Sequence, residues 1–165
     1  MSDLILPSGP AIGDRVSLAH SGYVTIPAGV GANVYLPFGA EQIDEAGVHD
    51  DVVNNSRIEI PVGSKYNRIK FNSRIRFQRV ARWADSHIVM YLAKNRASYT
   101  ENDTHVFYNS TAQGFHQFKV ATDWLECVPG DYWELHVVNV HASATYNMLI
   151  TAAANSYFSA ELMKV

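Results

Sequence analysis

The chain has 165 residues, with 13 Lys+Arg against 16 Asp+Glu for a formal charge of -3. That length predicts one domain able to bury a self-sufficient core. Its 47% hydrophobic and 18% charged residues exclude a disordered tail, which needs few apolar residues and high net charge, and its mild acidity excludes a dedicated nucleic-acid binder with a basic excess.

Residues 1–22 hold Pro7, Ser8, Gly9, Pro10 and Gly13. Proline lacks a ladder donor and glycine stays flexible, so this stretch reads as an extended arm ahead of a domain spanning 23–165. From Tyr23 onward, short apolar or alternating segments are separated by turn residues. A first core strand is predicted over 32–38. Residues 57–60 set Ile58 and Ile60 on one side and stop at Pro61 and Gly63. Residues 68–78 alternate strictly, with Ile69, Phe71, Ser73, Ile75 and Phe77 on one face and Arg68, Lys70, Asn72, Arg74, Arg76 and Gln78 on the other. This is the period of a half-buried strand. The run 87–93 is apolar throughout and reads as buried on both faces. Shorter strands are expected over 104–108, 113–121 and 124–128, the last stopping at Pro129-Gly130. A long strand follows over 132–140. The segment 146–152 reads as strand or helix, because it runs into three alanines. The last strand spans 156–163. About eight to ten strands with turn spacing of this kind and no long amphipathic helix predict an all-β jelly-roll sandwich of antiparallel strands.

Cys127 is the single cysteine, which excludes an internal disulfide and a Cys-rich zinc site. No stretch of ~18 apolar residues suggests a membrane span. Leu4-Ile5-Leu6 is too short for a signal-peptide core and Asp3 stands where positive charge belongs, so cleavable secretion is not expected.

Four segments carry a family resemblance: Ile60-Pro61-Val62-Gly63-Ser64-Lys65-Tyr66, Leu92-Ala93-Lys94-Asn95, Val128-Pro129-Gly130-Asp131-Tyr132-Trp133-Glu134-Leu135 and Phe158-Ser159-Ala160-Glu161-Leu162. In order and spacing they resemble the C1q/TNF-like jelly-roll family, especially its phage virion members, with Ala160 near the place of the family's last-strand glycine. The resemblance implies a homotrimer that buries an apolar face near a threefold axis. With 9 Tyr, 7 Phe and 3 Trp, and such residues enriched in interface cores, Tyr132, Trp133, Tyr157 and Phe158 are the candidate trimer contacts. The alternative is that all four pack inside one sandwich.

Other constellations point less far. The basic strip Arg68, Lys70, Arg74, Arg76, Arg79 and Arg82 reads as a polyanion surface or, preferred here, as a solvated or intersubunit face neutralised by acids such as Asp44, Glu45, Asp50, Asp51 and Glu59. Asp85-Ser86-His87 holds triad residue types, but adjacent side chains diverge and no nucleophile elbow accompanies them. His49-Asp50-Asp51 and Asn102-Asp103 are oxygen-rich loops that read as a calcium site or, preferred here, as ordinary turns; no cofactor is expected. His136 and His141 face opposite sides of one regular strand, and Cys127 reads as a buried small hydrophobe. Trp83, Tyr99 and Tyr108 are the residues that would meet glycans.

The resulting expectation is a non-enzymatic, trimeric structural protein of a phage virion, a capsid decoration or head protein whose arm docks to capsid or tail proteins. A tail-fibre or receptor-binding head, or a carbohydrate-binding module contacting host glycans, is the alternative. Nucleic-acid and membrane partners are not expected.

Overall fold

The computed structural model describes residues 13–19, 22–27, 32–50, 52–79, 88–96, 105–107, 115–139, 146–150 and 156–164. These residues form strands β1 (Asp14–Ala19), β2 (Gly22–Ile26), β3 (Ala32–Tyr35), β4 (Ala40–Asp44), β5 (Arg57–Glu59), β6 (Tyr66–Arg79) and β7 (Ile88–Lys94). Six more follow: β8 (His105–Phe107), β9 (Phe115–Ala121), β10 (Leu125–Glu126), β11 (Tyr132–Asn139), β12 (Tyr146–Ile150) and β13 (Tyr157–Lys164). The chain is all-β, as expected, and every strand pair is antiparallel. One sheet runs β2-β12-β6-β13-β1-β4, with β9 and β10 also on β6; the second runs β3-β11-β7-β8, with β5 on β11.

β6 organises the first sheet because its alternation lets it serve both solvent and core. Ile69, Phe71 and Ile75 are fully buried, while Asn72 is exposed and Lys70, Arg74 and Arg76 are half-buried on the other face. Ser73 interrupts the apolar face without leaving a bare hydroxyl. Its Oγ accepts from the Ser159 N–H at 3.3 Å and reaches the Ser159 carbonyl at 3.5 Å, satisfying a polar group that would otherwise be costly to bury. Between the sheets, Phe71 lies 5.6 Å from both the Trp133 and the Phe158 ring centroids, and Phe38 lies 5.3 Å from Phe158.

β7 is buried on both faces, as its composition predicts. Met90 and Leu92 enter the main core, and Tyr91 and Ala93 form a second small cluster with Val138 on the outer side.

Three expectations change. The arm does not extend to residue 22: Asp14–Ala19 lies between β13 and β4, with Val16 and Leu18 buried in the core. Gly13 precedes it for a steric reason rather than for flexibility, since a Cβ there would stand 2.0 Å from the Leu162 carbonyl oxygen. The strand predicted over 32–38 ends at Tyr35, because Pro37 cannot donate to a ladder; Leu36 and Phe38 stay buried and donate their N–H groups to Leu135 and Asn55 carbonyls. Residues 146–150 are strand, paired on both sides by β2 and β6, so tertiary pairing overrides the helical leaning of the alanines that follow.

Candidate functional site

Three of the four segments that carried the resemblance meet at one end of the second sheet. Ser64 N–H donates to the Pro61 carbonyl and Gly63 has φ +83°. Asp131 N–H donates to the Val128 carbonyl and Gly130 has φ +90°. Positive φ at the third position is what a type II turn requires, and Pro129 presets the second. The two turns are joined by Ile60 N–H to the Asp131 carbonyl and Gly130 N–H to the Ile60 carbonyl, both 2.8 Å. Lys94 and Asn95 complete the knot: Lys94 Nζ lies 2.6 Å from Asp131 Oδ2, Asn95 Nδ2 donates to Oδ1 at 2.9 Å, and Asn95 Oδ1 accepts from Tyr132 N–H at 2.8 Å. Burial works against the Asp131 charge, but Lys94, Asn95 and the Val128 N–H more than offset it, and its carboxyl titrates below the usual range.

Asn95 and Arg96 both adopt left-handed backbone, with φ +53° and +52°. Such conformations cost about 1–3 kcal/mol each outside glycine; here they aim Arg96 back over the outer face of the second sheet. Its guanidinium stands 4.4 Å above the Tyr35 ring and its Nε donates to Glu134 Oε2 at 3.0 Å. Glu134 is fully buried. It also accepts from Ser56 Oγ at 2.6 Å, and His136 Nε2 lies 3.8 Å away. Burial alone would raise its pKa. The neighbouring His136 ring, the Arg96 guanidinium and the Ser56 hydroxyl reverse that and hold it at about 2. His136 is wedged between Tyr35, edge-on at 3.9 Å, and Tyr91, whose hydroxyl shares a 3.2 Å hydrogen bond with Nδ1. In register, Glu134 faces Arg57 and Ala93 while His136 faces Tyr35 and Tyr91, so one carboxylate ties β3, β5, β7 and β11 together.

Ser, His, Tyr and Glu side chains are thus gathered, but Ser56 donates its proton directly to a carboxylate. A carboxylate held near 2 is a poor proton acceptor at neutral pH. The arrangement fixes strands and turns. Sequence reasoning missed Ser56, Arg96 and the roles of Asn95 and Glu134; the one available signal was an acid inside the apolar run Tyr132-Trp133-Glu134-Leu135-His136-Val137.

The candidate interface residues separate by face. Trp133 and Phe158 are 1% and 0% exposed in the protomer's own core, so they cannot meet another subunit. This corrects the expectation for both: their strand parity turns them inward. Tyr132 and Tyr157 are half-buried on opposite outer faces, under the guanidinium groups of Arg57 and Arg74. The acids expected to neutralise the basic strip are engaged in their own neighbourhoods: Asp44 accepts from Val48 and His49 N–H, Glu45 from Arg15 N–H, Asp50 from Val52 and Val53 N–H, and Glu59 pairs with Arg57. Cys127 is buried, as expected. Trp83, Tyr99, Tyr108, Asp51, the Asp85-Ser86-His87 triplet, Asn102-Asp103, Arg82 and His141 lie outside the described residues.

The open face of the first sheet carries a groove of about 390 Å³ lined by Arg15, Ser17, Lys70, Asn72, Tyr157 and Ser159 among others. Among the described residues no helix is long and apolar enough to cross a membrane.

No family model and no curated protein matches the chain. Among solved structures it is similar to Eiger TNF from S. frugiperda, with a TM-score of 0.51 and 10% identity, over 93% of this chain and 94% of that one. The fold is a TNF-like jelly roll. At that identity the likeness concerns architecture. It agrees with the fold expected from the four segments, three of which build the knot around Asn95 and Asp131.

Proposed function

We propose that this chain is a non-enzymatic structural domain that assembles as a homotrimer on the surface of a phage virion, as a capsid decoration or head protein. The observation that carries the reading is the TNF-like jelly roll extending over 93% of the chain, together with the resemblance of its turn segments to virion members of that fold. A threefold ring needs two different patches on each protomer. Tyr132 and Tyr157, on opposite faces of the sandwich, supply one each. Docking to capsid or tail proteins falls to the residues ahead of Gly13, because β1 belongs to the sheet. Equilibrium sedimentation should return three times the 18.4 kDa protomer, and antibodies raised against the chain should label phage particles. A monomer, or unlabelled particles, would overturn the corresponding half of the proposal.

A receptor-binding head or carbohydrate-binding module is the second reading, favoured by the groove on the first sheet, where Ser17, Asn72 and Ser159 stand beside the Tyr157 ring. Glycan-array binding that is lost on Trp83→Ala supports the module; a blank array removes it.

A further inference from the structure

We infer that the free edge of β4 is a docking site for an extended, lysine- or arginine-rich segment of another protein, which adds one strand to the first sheet. β4 ends the order β2-β12-β6-β13-β1-β4 and is hydrogen-bonded to β1 alone. Among the described residues no backbone group pairs with it on its other side. Ala40, Glu41, Gln42 and Ile43 are exposed, and Asp44 is half-buried. An uncovered edge presents a row of unpaired N–H and C=O groups, and such a row is a template for another chain.

Charge selects the occupant. No lysine or arginine occurs between Arg15 and Arg57, whereas that stretch holds Glu41, Asp44, Glu45, Asp50 and Asp51. Among the described residues no lysine or arginine pairs with Glu41, Asp44, Glu45 or Asp50. Asp44, Glu45 and Asp50 accept backbone N–H groups, and Glu41 meets the His49 ring at 3.0 Å. The backbone amides hold carboxylates in place without bringing a formal positive charge. A basic strand laid along this edge sets cations opposite acids, the favourable cross-strand arrangement. A second copy of β4 sets acid opposite acid, which is destabilising. The edge therefore discriminates against its own kind and in favour of a basic partner.

The local geometry fits this choice. The register passes from Ser17 opposite Ile43 to Leu18 opposite Glu41, so Gln42 is the extra residue of a β-bulge. Bulges and charges on an edge keep flat apolar strands away. They admit a strand that carries its own cations, and Ile43, 40% exposed, gives that strand an apolar neighbour. The subunit contact proposed above uses other surfaces: β1 separates β4 from Tyr157 on β13, and Tyr132 belongs to the second sheet.

The inference stands whether or not the chain assembles. The test is calorimetric titration of the full chain with blocked peptides long enough to cover the five residues of β4. Amide hydrogen exchange of the same mixtures and the mass of the protein are measured in the same buffer. The probe peptide alternates lysine and valine. One comparison peptide has glutamate in place of lysine; another keeps the lysines but is N-methylated along its backbone, which removes its donors and leaves its charge. The lysine peptide should bind and slow exchange over residues 40–44, and the glutamate peptide should not bind. The methylated peptide should bind about tenfold less tightly or worse, the worth of two hydrogen bonds. Glu41→Gln combined with Glu45→Gln should weaken binding about fivefold or more, as the loss of two exposed ion pairs does, while Glu126→Gln, an exposed acid on β10, should change it by less than about twofold. No binding of the lysine peptide, equal binding of the methylated one, unchanged exchange over 40–44, or an equal loss in Glu126→Gln would each overturn the inference. A trimer that does not bind defeats it while leaving the assembly reading intact; a monomer that binds does the reverse.

Discussion

Asn95 bridges Asp131 and Tyr132: its side-chain amide donates to the Asp131 carboxylate while its carbonyl oxygen accepts from the Tyr132 N–H. One left-handed residue thereby joins the turn after β7 to the turn before β11. Asparagine suits both demands, since it tolerates positive φ better than most residues and carries a donor and an acceptor. Asn95→Ala should lose about 2–3 kcal/mol from two hydrogen bonds and added backbone strain. Asn95→Gly should recover part of it by relieving the strain alone. Urea unfolding of the two variants measures the difference; wild-type stability in Asn95→Ala would show that the bridge is not stabilising.

Glu134 predicts a defined acid response. Its folded pKa of about 2 lies below its ordinary 4.5, so folding favours the ionised form. The associated stability is complete above pH 4.5 and drains as the pH falls toward 2, on the order of 3 kcal/mol in all. Glu134→Gln should be less stable at pH 7 and lose less stability across that window. Thermal unfolding at several pH values reads this directly, and parallel profiles for variant and wild type would refute it.

Burial, aided by the nearby Asp131 charge and opposed by Lys94, pushes the Cys127 thiol up to about 11. The thiolate is the reactive species. An aromatic disulfide reagent at pH 8 should therefore label native protein far more slowly than protein in denaturant. Equal rates would place the thiol in a more open setting.

Phe158 and Tyr132 distinguish core from proposed contact. Phe158→Ala should cost about 3–5 kcal/mol, because the side chain is fully enclosed among Phe38, Phe71 and their neighbours. Tyr132→Ala should leave protomer stability within about 1 kcal/mol and shift the proposed trimer toward smaller species. Sedimentation and unfolding of both variants separate the effects; an unchanged trimer in Tyr132→Ala would remove that residue from the contact.

Much of the architecture was legible. The alternation from Arg68 to Gln78 marked the strand around which the first sheet is built, and the all-apolar run at β7 marked a strand covered on both sides. β1 was not, since Gly and Pro upstream disguised a short alternating segment whose neighbours, β4 and β13, lie far away in sequence. The site was less legible still. Ser56, Arg96 and Glu134 come from three separated segments, and nothing local distinguishes an arginine that turns back onto a sheet from one that points to water.

By itself the sequence determined the strand periods, the apolar face of β6 and the turn chemistry at Gly63, Pro129 and Gly130, because these depend on local sterics and on alternation with a period of two. Only the tertiary structure decided which face each strand presents to which neighbour. That placed Trp133 and Phe158 inside the protomer, buried Glu134 under Arg96, and opposed Arg74 with Lys119. Pairing between strands far apart in the chain sets those relationships, and a shift of one residue in register would reverse every one of them.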